Sequence, residues 1–227
     1  MPPVAVAAFD FDGTLTRGDT LLPFLARGLG WPRLLWAMLR CAPWLAGYAL
    51  RLVRNDVAKA RLMQVTLGGR SLAEMDEWRA RWLAKDFQGQ WRDWTLARLA
   101  WHQQAGHCCV IDSASPDIYL ARVAEQLGVD GLICTEMEVA QGEEGACLTG
   151  RMRTPNCHGT QKVLRLNQWL SARFGAESVG AMTLYAYGDT AGDKPLLRQA
   201  QQAWYRGKPW KEALPDTRQS PAAFFRK

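Results

Sequence analysis

The sequence predicts an α/β protein in which a doubly wound, mainly parallel sheet is interrupted by an all-helical insertion. Three observations lead there. Short apolar runs recur and end in carboxylates or small hydroxyl residues: Val4 to Phe9 runs into Asp10, Cys109-Val110-Ile111 into Asp112-Ser113, and Met182 to Tyr187 into Gly188-Asp189. Continuous apolar strands of this kind belong to parallel sheets buried on both faces. Between them lie segments with helical spacing. Finally, about 100 residues separate Asp12 from Ser113, whereas a strand-helix-strand unit needs only about 30. A second structural unit must be inserted there.

In chain order, the first strand gives way at about residue 20 to helical patterns over 23–29, 31–41, 42–54, 57–67 and from 71 onward. Ser71 and Glu74 make a capping box, and Met75, Trp78 and Trp82 then fall on one face. The expected division is a catalytic core from 1–19 and 107–227, with a helical cap from 20–106 over its mouth. The strand at Cys109 follows the cap. Runs at 132–139 and 147–153, joined by Gly142-Glu143-Glu144-Gly145, read as an appended hairpin. Gly159-Thr160-Gln161-Lys162 opens an amphipathic helix carrying Val163, Leu166 and Leu170. A last strand is expected at 203–206, and the polar tail after Pro215 is expected to be loosely held.

Ligands of open parallel sheets bind beyond the carboxyl ends of the strands, which is where Asp10 and Asp12 fall. Two residues apart in an extended segment, they are expected to point to one side and share a small volume. Like charges so close require a proton or a hard cation between them, and Mg2+ suits oxygen ligands. Ser113 and Ala114 stand at the mouth of a helix, where backbone N–H groups and a hydroxyl can hold phosphate oxygens. Asp189 and Asp193 bring further carboxylates to a strand end. Together these features read as a phosphoryl-transfer site.

The four segments, Asp10-x-Asp12-Gly13-Thr14, Ser113, Lys162 and Gly188-Asp189-x-x-x-Asp193, resemble in order the four motifs of the haloacid dehalogenase superfamily of phosphatases. The resemblance runs from Ala5 to about Leu197 and lies nearest the phosphoserine-phosphatase-like subfamily. Ser113 to Leu120 and Thr154-Pro155-Asn156-Cys157-x-Gly159 resemble the group that includes bacterial phosphatidylglycerophosphatase C. The resemblance implies a haloacid-dehalogenase-like fold and a Mg2+-dependent phosphomonoester hydrolase working through an aspartyl-phosphate. Asp10 would be the nucleophile and Asp12 the general acid and base. Lys162 would supply positive charge, while Ser113, Ala114 and Thr14 bind phosphate. Asp10, the backbone carbonyl of Asp12, and Asp189 would ligate Mg2+, with Asp193 behind them. The second motif-one aspartate, Asp12, favours phosphate over carbon-halogen chemistry.

Departures from the phosphoserine phosphatase pattern disfavour serine phosphate. Asp19 falls where that enzyme reads the substrate amine, and Gln64 falls where it carries an arginine, with Arg61 nearly a turn away. Asp19 and Arg61 are therefore the substrate-selecting candidates. Gly192 replaces an asparagine of the fourth motif. His158 competes with Lys162 for the third-motif role, and Lys162 is favoured by its permanent charge near neutral pH.

The implied substrate is a small phosphorylated metabolite or a phospholipid head-group phosphate. Residues 31–53 are rich in Leu, Trp and Ala but interrupted by Arg33, Arg40 and Arg51, too charged for a membrane span. They read as the core of the cap or as an interfacial surface giving peripheral membrane contact. The charge of +6 fits anionic substrates, and no nucleic-acid module is present, so no nucleic-acid partner is expected. Six cysteines without metal or redox spacing read as reduced thiols. No signal peptide is expected, which points to the cytoplasm with or without membrane association. The alternatives are a phosphotransferase or mutase using the same site, and a non-catalytic membrane-surface or nucleic-acid-binding protein that keeps the fold.

Overall fold

The computed structural model describes residues 4–85, 87–142 and 145–211. β1 (Ala5–Phe9) leads through a wide turn into six helices: α1 (Leu21–Leu29), α2 (Trp31–Arg40), α3 (Ala42–Ala49), α4 (Asn55–Leu67), α5 (Leu72–Lys85) and α6 (Asp93–Gln104). The chain then returns to β2 (Cys108–Pro116), α7 (Asp117–Leu127) and β3 (Gly131–Thr135), followed by β4 (Met137–Gly142) and β5 (Gly145–Met152). It ends in α8 (Thr160–Phe174), α9 (Ala176–Val179), β6 (Thr183–Gly188), α10 (Lys194–Gln199), β7 (Gln202–Tyr205) and β8 (Lys208–Pro209). The main sheet has the order β3-β2-β1-β6-β7-β8, parallel except for β8.

Alternation along the central strands fills both faces. Ala7, Phe9, Cys109, Ile111, Tyr185 and Tyr187 face a core shared with α7 and the helical insertion, including Phe24, Trp78 and Trp82. Val6, Ala8, Val110, Leu184 and Ala186 face Leu166 and Leu170 of α8 and Leu196 and Leu197 of α10. Across β1, β6 and β7 the register aligns Phe9, Tyr187 and Trp204. Their rings stack at 4.4 and 4.8 Å, a cross-strand ladder that fixes which residues reach the carboxyl ends together.

Three expectations are corrected. The apolar run at 132–139 divides into two strands: β3 joins the sheet edge beside β2, and only β4 pairs antiparallel with β5. The break is fixed when the carbonyl of Glu136 accepts from Arg153 N (2.7 Å) and the carboxylate of Asp117 accepts from Met137 N (3.0 Å). Helix α3 stops at Ala49, short of 54, because the chain folds back so that the N–H groups of Leu52 and Val53 donate to the carbonyl of Gly47. A side chain at Gly47 would strike Val53 Cγ2 at 2.6 Å, and Arg51 takes up the reversal at φ 60°. Finally, α6, placed by sequence in the cap, lies on the sheet. Thr95 Oγ1 donates to the Thr14 carbonyl (2.7 Å), and His102 Nε2 pairs with the Tyr187 hydroxyl (2.9 Å). The tail expected to be loose after Pro215 and the Glu143-Glu144 turn lie outside the described residues.

The β4-β5 hairpin ties the helical insertion to the core. Gly69 N donates to the Leu148 carbonyl and Leu148 N to the Arg70 carbonyl, each at 2.8 Å. Backbones come so close at Gly150, whose φ is +79°, that a Cβ there would lie 2.7 Å from Gln64 Cα.

His102 is fully buried, with Nδ1 2.7 Å from His107 Nδ1. Burial, then the neighbouring His107 and Arg98, push its pKa down to about 3. The unfolded chain therefore binds a proton that the folded chain refuses. This contribution is fully present above pH ~6.5 and is lost as pH falls toward 3, at roughly 1.4 kcal/mol per pH unit. Urea unfolding of wild type and His102→Gln between pH 7.5 and 4.5 should show a steeper loss in the wild type. Parallel pH profiles would contradict a neutral buried His102.

Candidate active site

The site is assembled at the carboxyl ends of β1, β2 and β6. Asp10 follows the last residue of β1, anchored as its N–H donates to the Tyr187 carbonyl (2.9 Å). The chain then turns within Phe11–Leu15, closed by Thr16 N and Thr16 Oγ1 on the Phe11 carbonyl at 3.0 and 3.1 Å. Gly13 is required in this turn. Its φ is +75°, and a Cβ would lie 2.3 Å from Asp189 Oδ2. The absence of a side chain leaves a cradle beside the Asp189 carboxylate.

Lys162, in the first turn of α8, is buried with Nζ at 2.6 Å from Asp10 Oδ1, 2.6 Å from Asp193 Oδ1 and 2.7 Å from the Asp112 carbonyl. All three ammonium protons are thus used. Burial opposes its charge, but Asp10, Asp193 and Asp112 outweigh this and hold its pKa well above the usual lysine range. Asp193 uses its second oxygen to accept from Asp189 N (3.1 Å), Thr190 N (2.8 Å) and Thr190 Oγ1 (2.8 Å). Lys162 chiefly, against the burial, keeps Asp193 below the usual carboxylate range.

Oxygens of Asp10, Asp189 and Asp193 lie within 4.8 Å of one another. Because both Asp193 oxygens are engaged, Asp10 and Asp189 retain coordination capacity, their outer contact being the Thr14 hydroxyl at 3.4 and 3.2 Å. Burial, and then the charge of Asp193, push Asp189 up. An all-oxygen set of this charge fits a hard divalent cation.

Asp12 is held differently. It lines the same cavity as Asp10, but its Oδ1 accepts from Thr20 N (2.8 Å) and Thr20 Oγ1 (2.6 Å), and its Oδ2 from the Ser115 hydroxyl. The two carboxylates therefore share a cavity without sharing partners. The reason is local: Asp12 keeps an extended backbone (φ −68°, ψ 124°), but Thr20 and Ser115 take up both of its oxygens. Burial first, then Asp19, raise its pKa to about 6 against the hydrogen bonds of Ser115 and Thr20.

The cavity holds roughly 580 Å3 and is closed on one side by the helical insertion through Leu21, Leu45, Tyr48 and Leu62. Ser113 and Ala114 line it; Ser113 Oγ accepts from Ser115 N (3.1 Å). Thr14 does not line it and is turned onto the carboxylates. Asp19 reaches the rim, where its Oδ1 caps α1 through Leu21 N at 3.0 Å and Leu22 N at 3.3 Å. Arg61 stays away from the cavity, stacked 4.8 Å from the Trp44 ring and bonded to Gln64 Oε1 (2.7 Å). His158 lines the cavity but makes no ion pair with Asp10; that role falls to Lys162. The substitution at Gly192 now has a reason, since a Cβ there would lie 2.3 Å from His158 Nε2.

Sequence reasoning passed over Lys59, Thr20, Ser115 and the packing of Asn156. Lys59 reaches from α4 to the Ala114 carbonyl and to Asn156 Oδ1 (2.8 Å). A lysine on a helix carries no signal that distinguishes it from a solvated one.

The family model described as haloacid dehalogenase-like hydrolase matches residues 7–198. The chain is similar to Protein CicA of Caulobacter vibrioides, 34% identical over 216 residues that span 90% of this chain and 88% of the relative. Among solved structures, a Bordetella pertussis Tohama I protein matches at TM-score 0.75 and 25% identity over 88% of this chain and 89% of that one. A substrate-bound phosphoserine phosphatase complex shares the fold at TM-score 0.59 and 16% identity, over 89% of this chain and 85% of that one.

Removing the ammonium from this cluster leaves two buried carboxylates facing each other. Lys162→Met should therefore destabilise the protein by about 3–5 kcal/mol, and adding Asp193→Asn should restore part of the loss, a coupling expected of groups in direct contact. Denaturant unfolding midpoints check both. Additive effects would show that the ion pairs are not what holds the cluster.

Proposed function

The chain belongs to the haloacid dehalogenase-like hydrolases, and from that premise we propose that it is a phosphatase that hydrolyses phosphomonoesters through an aspartyl-phosphate on Asp10. The observation that carries this reading is the division between its two motif-one carboxylates. One is clamped by an ammonium at the foot of the cavity, and the other is held by hydroxyl groups with a pKa near 6. Carboxylates placed in unlike environments take unlike roles.

Asp10 attacks phosphorus, a bond forms to its carboxylate oxygen, and the bond from phosphorus to the alcohol oxygen breaks. Asp12 gives its proton to the departing alkoxide. A water then attacks the acyl phosphate, Asp12 takes back a proton, and phosphate leaves with Asp10 restored. The Ser113 hydroxyl and the backbone N–H of Ala114, both residues lining the cavity, hold the phosphate oxygens. Asp10, Asp189 and the backbone carbonyl of Asp12 would hold Mg2+, which when bound supplies the positive charge that a dianionic ester needs beside paired carboxylates. Lys162 keeps Asp10 oriented and ionised, and Asp193 orients Lys162 from behind. The same covalent intermediate would serve a phosphotransferase or mutase, which would yield a phosphorylated product in place of free phosphate.

The substrate is a phosphorylated small molecule, and one surface supports a phospholipid head-group phosphate in particular. Helices α2 and α3 and the turn after them expose Trp31 (63%), Leu39 (71%) and Leu52 (80%), with Leu35, Trp36 and Leu50 beside them. No acidic residue occurs from 20 to 55, while Arg33, Arg40, Arg51 and Arg54 do. Arg40 lies 4.8 Å from the Trp36 ring. Among the described residues no helix is long and apolar enough to cross a membrane. An apolar and basic face of this kind suits an anionic bilayer surface, and the cavity-lining Tyr48 and Leu45 sit on α3.

Asp10→Asn should abolish phosphate release from a protein that still folds. Asp12→Asn should lose at least about 100-fold on alkyl phosphates and much less on p-nitrophenyl phosphate, whose leaving group needs no proton. Equal losses on both would assign Asp12 another role. Cosedimentation with phosphatidylglycerol vesicles should weaken with salt and with Trp36→Ala; indifference to vesicles at low salt would return α2 and α3 to a purely structural role.

A further inference from the structure

The cavity contains two lysines, and they are treated in opposite ways. Lys162 is paired with two carboxylates and has spent all three protons. Lys59 is partly buried and contacts only neutral acceptors, the Ala114 carbonyl and Asn156 Oδ1, and among the described residues it makes no ion pair. Burial pushes its pKa down to about 8, and the nearby carboxylates of Asp12 and Asp19 offset only part of that cost. Two of its three protons are accounted for, leaving one for a group in the cavity. The surroundings are built to hold it there: Asn156 Oδ1 also accepts from Thr135 Oγ1 (3.1 Å), and Asn156 Nδ2 donates to Asn55 Oδ1 (3.0 Å). Asn55 lines the cavity too and carries its own amide N–H groups. Lys59 and Asn55 both come from α4, and Lys59 reaches the phosphate-binding segment of β2 at the Ala114 carbonyl, so a group held by the two α4 residues lies beside the bound phosphate.

We propose that Lys59, with Asn55 beside it, is the subsite for a second anionic group on the alcohol portion of the substrate. The inference rests on the phosphatase reading and narrows it. The preferred substrate is a phosphomonoester whose alcohol carries another negative charge, such as a carboxylate or a second phosphate. Its intervening atoms lie against Leu21, Leu45 and Leu62. Asp19, at the rim, opposes a misplaced anion and helps set the register of the bound ester.

The test uses three esters with matched alcohols: propyl phosphate, 3-(phosphonooxy)propanoate and 3-aminopropyl phosphate. The full-length enzyme with Mg2+ should favour the carboxylate-bearing ester over the neutral one, and the amine-bearing ester least. Lys59→Gln should reduce the ratio of kcat/KM for the carboxylate-bearing to the neutral ester by about 10–100-fold, the range for a charged hydrogen bond, and the change should appear in KM. Lys59→Arg should keep the preference, and Lys59→Glu should turn it toward the amine. Lys59→Gln losing equally on all three esters, or a wild type without preference among them, would overturn the inference even if p-nitrophenyl phosphate is turned over. If the wild type releases phosphate from none of the four, the phosphatase reading itself falls, and this inference with it.

Discussion

One ammonium sets the chemistry of this protein. Lys162 brings together Asp10 from the end of β1, Asp193 from the loop after β6 and the Asp112 carbonyl of β2. Each carboxylate would be expensive to bury alone, and so would the lysine. With each carboxylate 2.6 Å from the ammonium and every ammonium proton matched, they are compensated. The interaction depends on the sheet for its geometry. Parallel register between β1 and its neighbours β2 and β6 carries the three strand ends to one edge, and the stacked Phe9, Tyr187 and Trp204 keep that register. Gly159, at φ +64°, turns the chain so that α8 begins beneath them.

The second constraint is the seam between the helical insertion and the core. Thr20, at its start, holds Asp12 and touches the Tyr119 hydroxyl of α7 at 3.1 Å. At its other contacts, Lys59 grips the end of β2, and the β4-β5 hairpin pairs with the chain just after α4. Asp12 is thus held by Thr20 of the insertion together with Ser115 of β2, whereas Asp10, Asp189 and Asp193 are positioned by the sheet. Any movement of the insertion would act first on Asp12.

Much of this was legible in the residues. The strands bearing Asp10, Ser113 and Asp189 announce themselves because both of their faces are buried, which leaves no polar alternation to confuse the pattern. Less was legible where distant contacts decide. The run at 132–139 looks continuous, but two hydrogen bonds at Glu136 and Met137 divide it between two sheets. The end of α3 depends on a non-glycine residue, Arg51, at positive φ, for which sequence offers no marker. Arg61 was the conspicuous cation near the expected substrate-reading position, yet Trp44 draws its guanidinium away. Lys59, two residues earlier and on another face of the same helix, is the one that enters the cavity, through partners 55 and 97 positions away. Thr14 belongs to motif one but bonds the carboxylates of Asp10 and Asp189 and does not line the cavity.

The central claim is that Asp10, clamped by Lys162, becomes covalently phosphorylated during turnover. Acid quenching of the Mg2+-supplemented enzyme during a single turnover of p-nitrophenyl phosphate, followed by peptide mass spectrometry, tests it directly. The account predicts a phosphoryl group on Asp10 that forms as nitrophenol is released and decays as phosphate appears. Nitrophenol and phosphate released together from an enzyme that never carries a phosphoryl group, or a phosphoryl group on a residue other than Asp10, would contradict it.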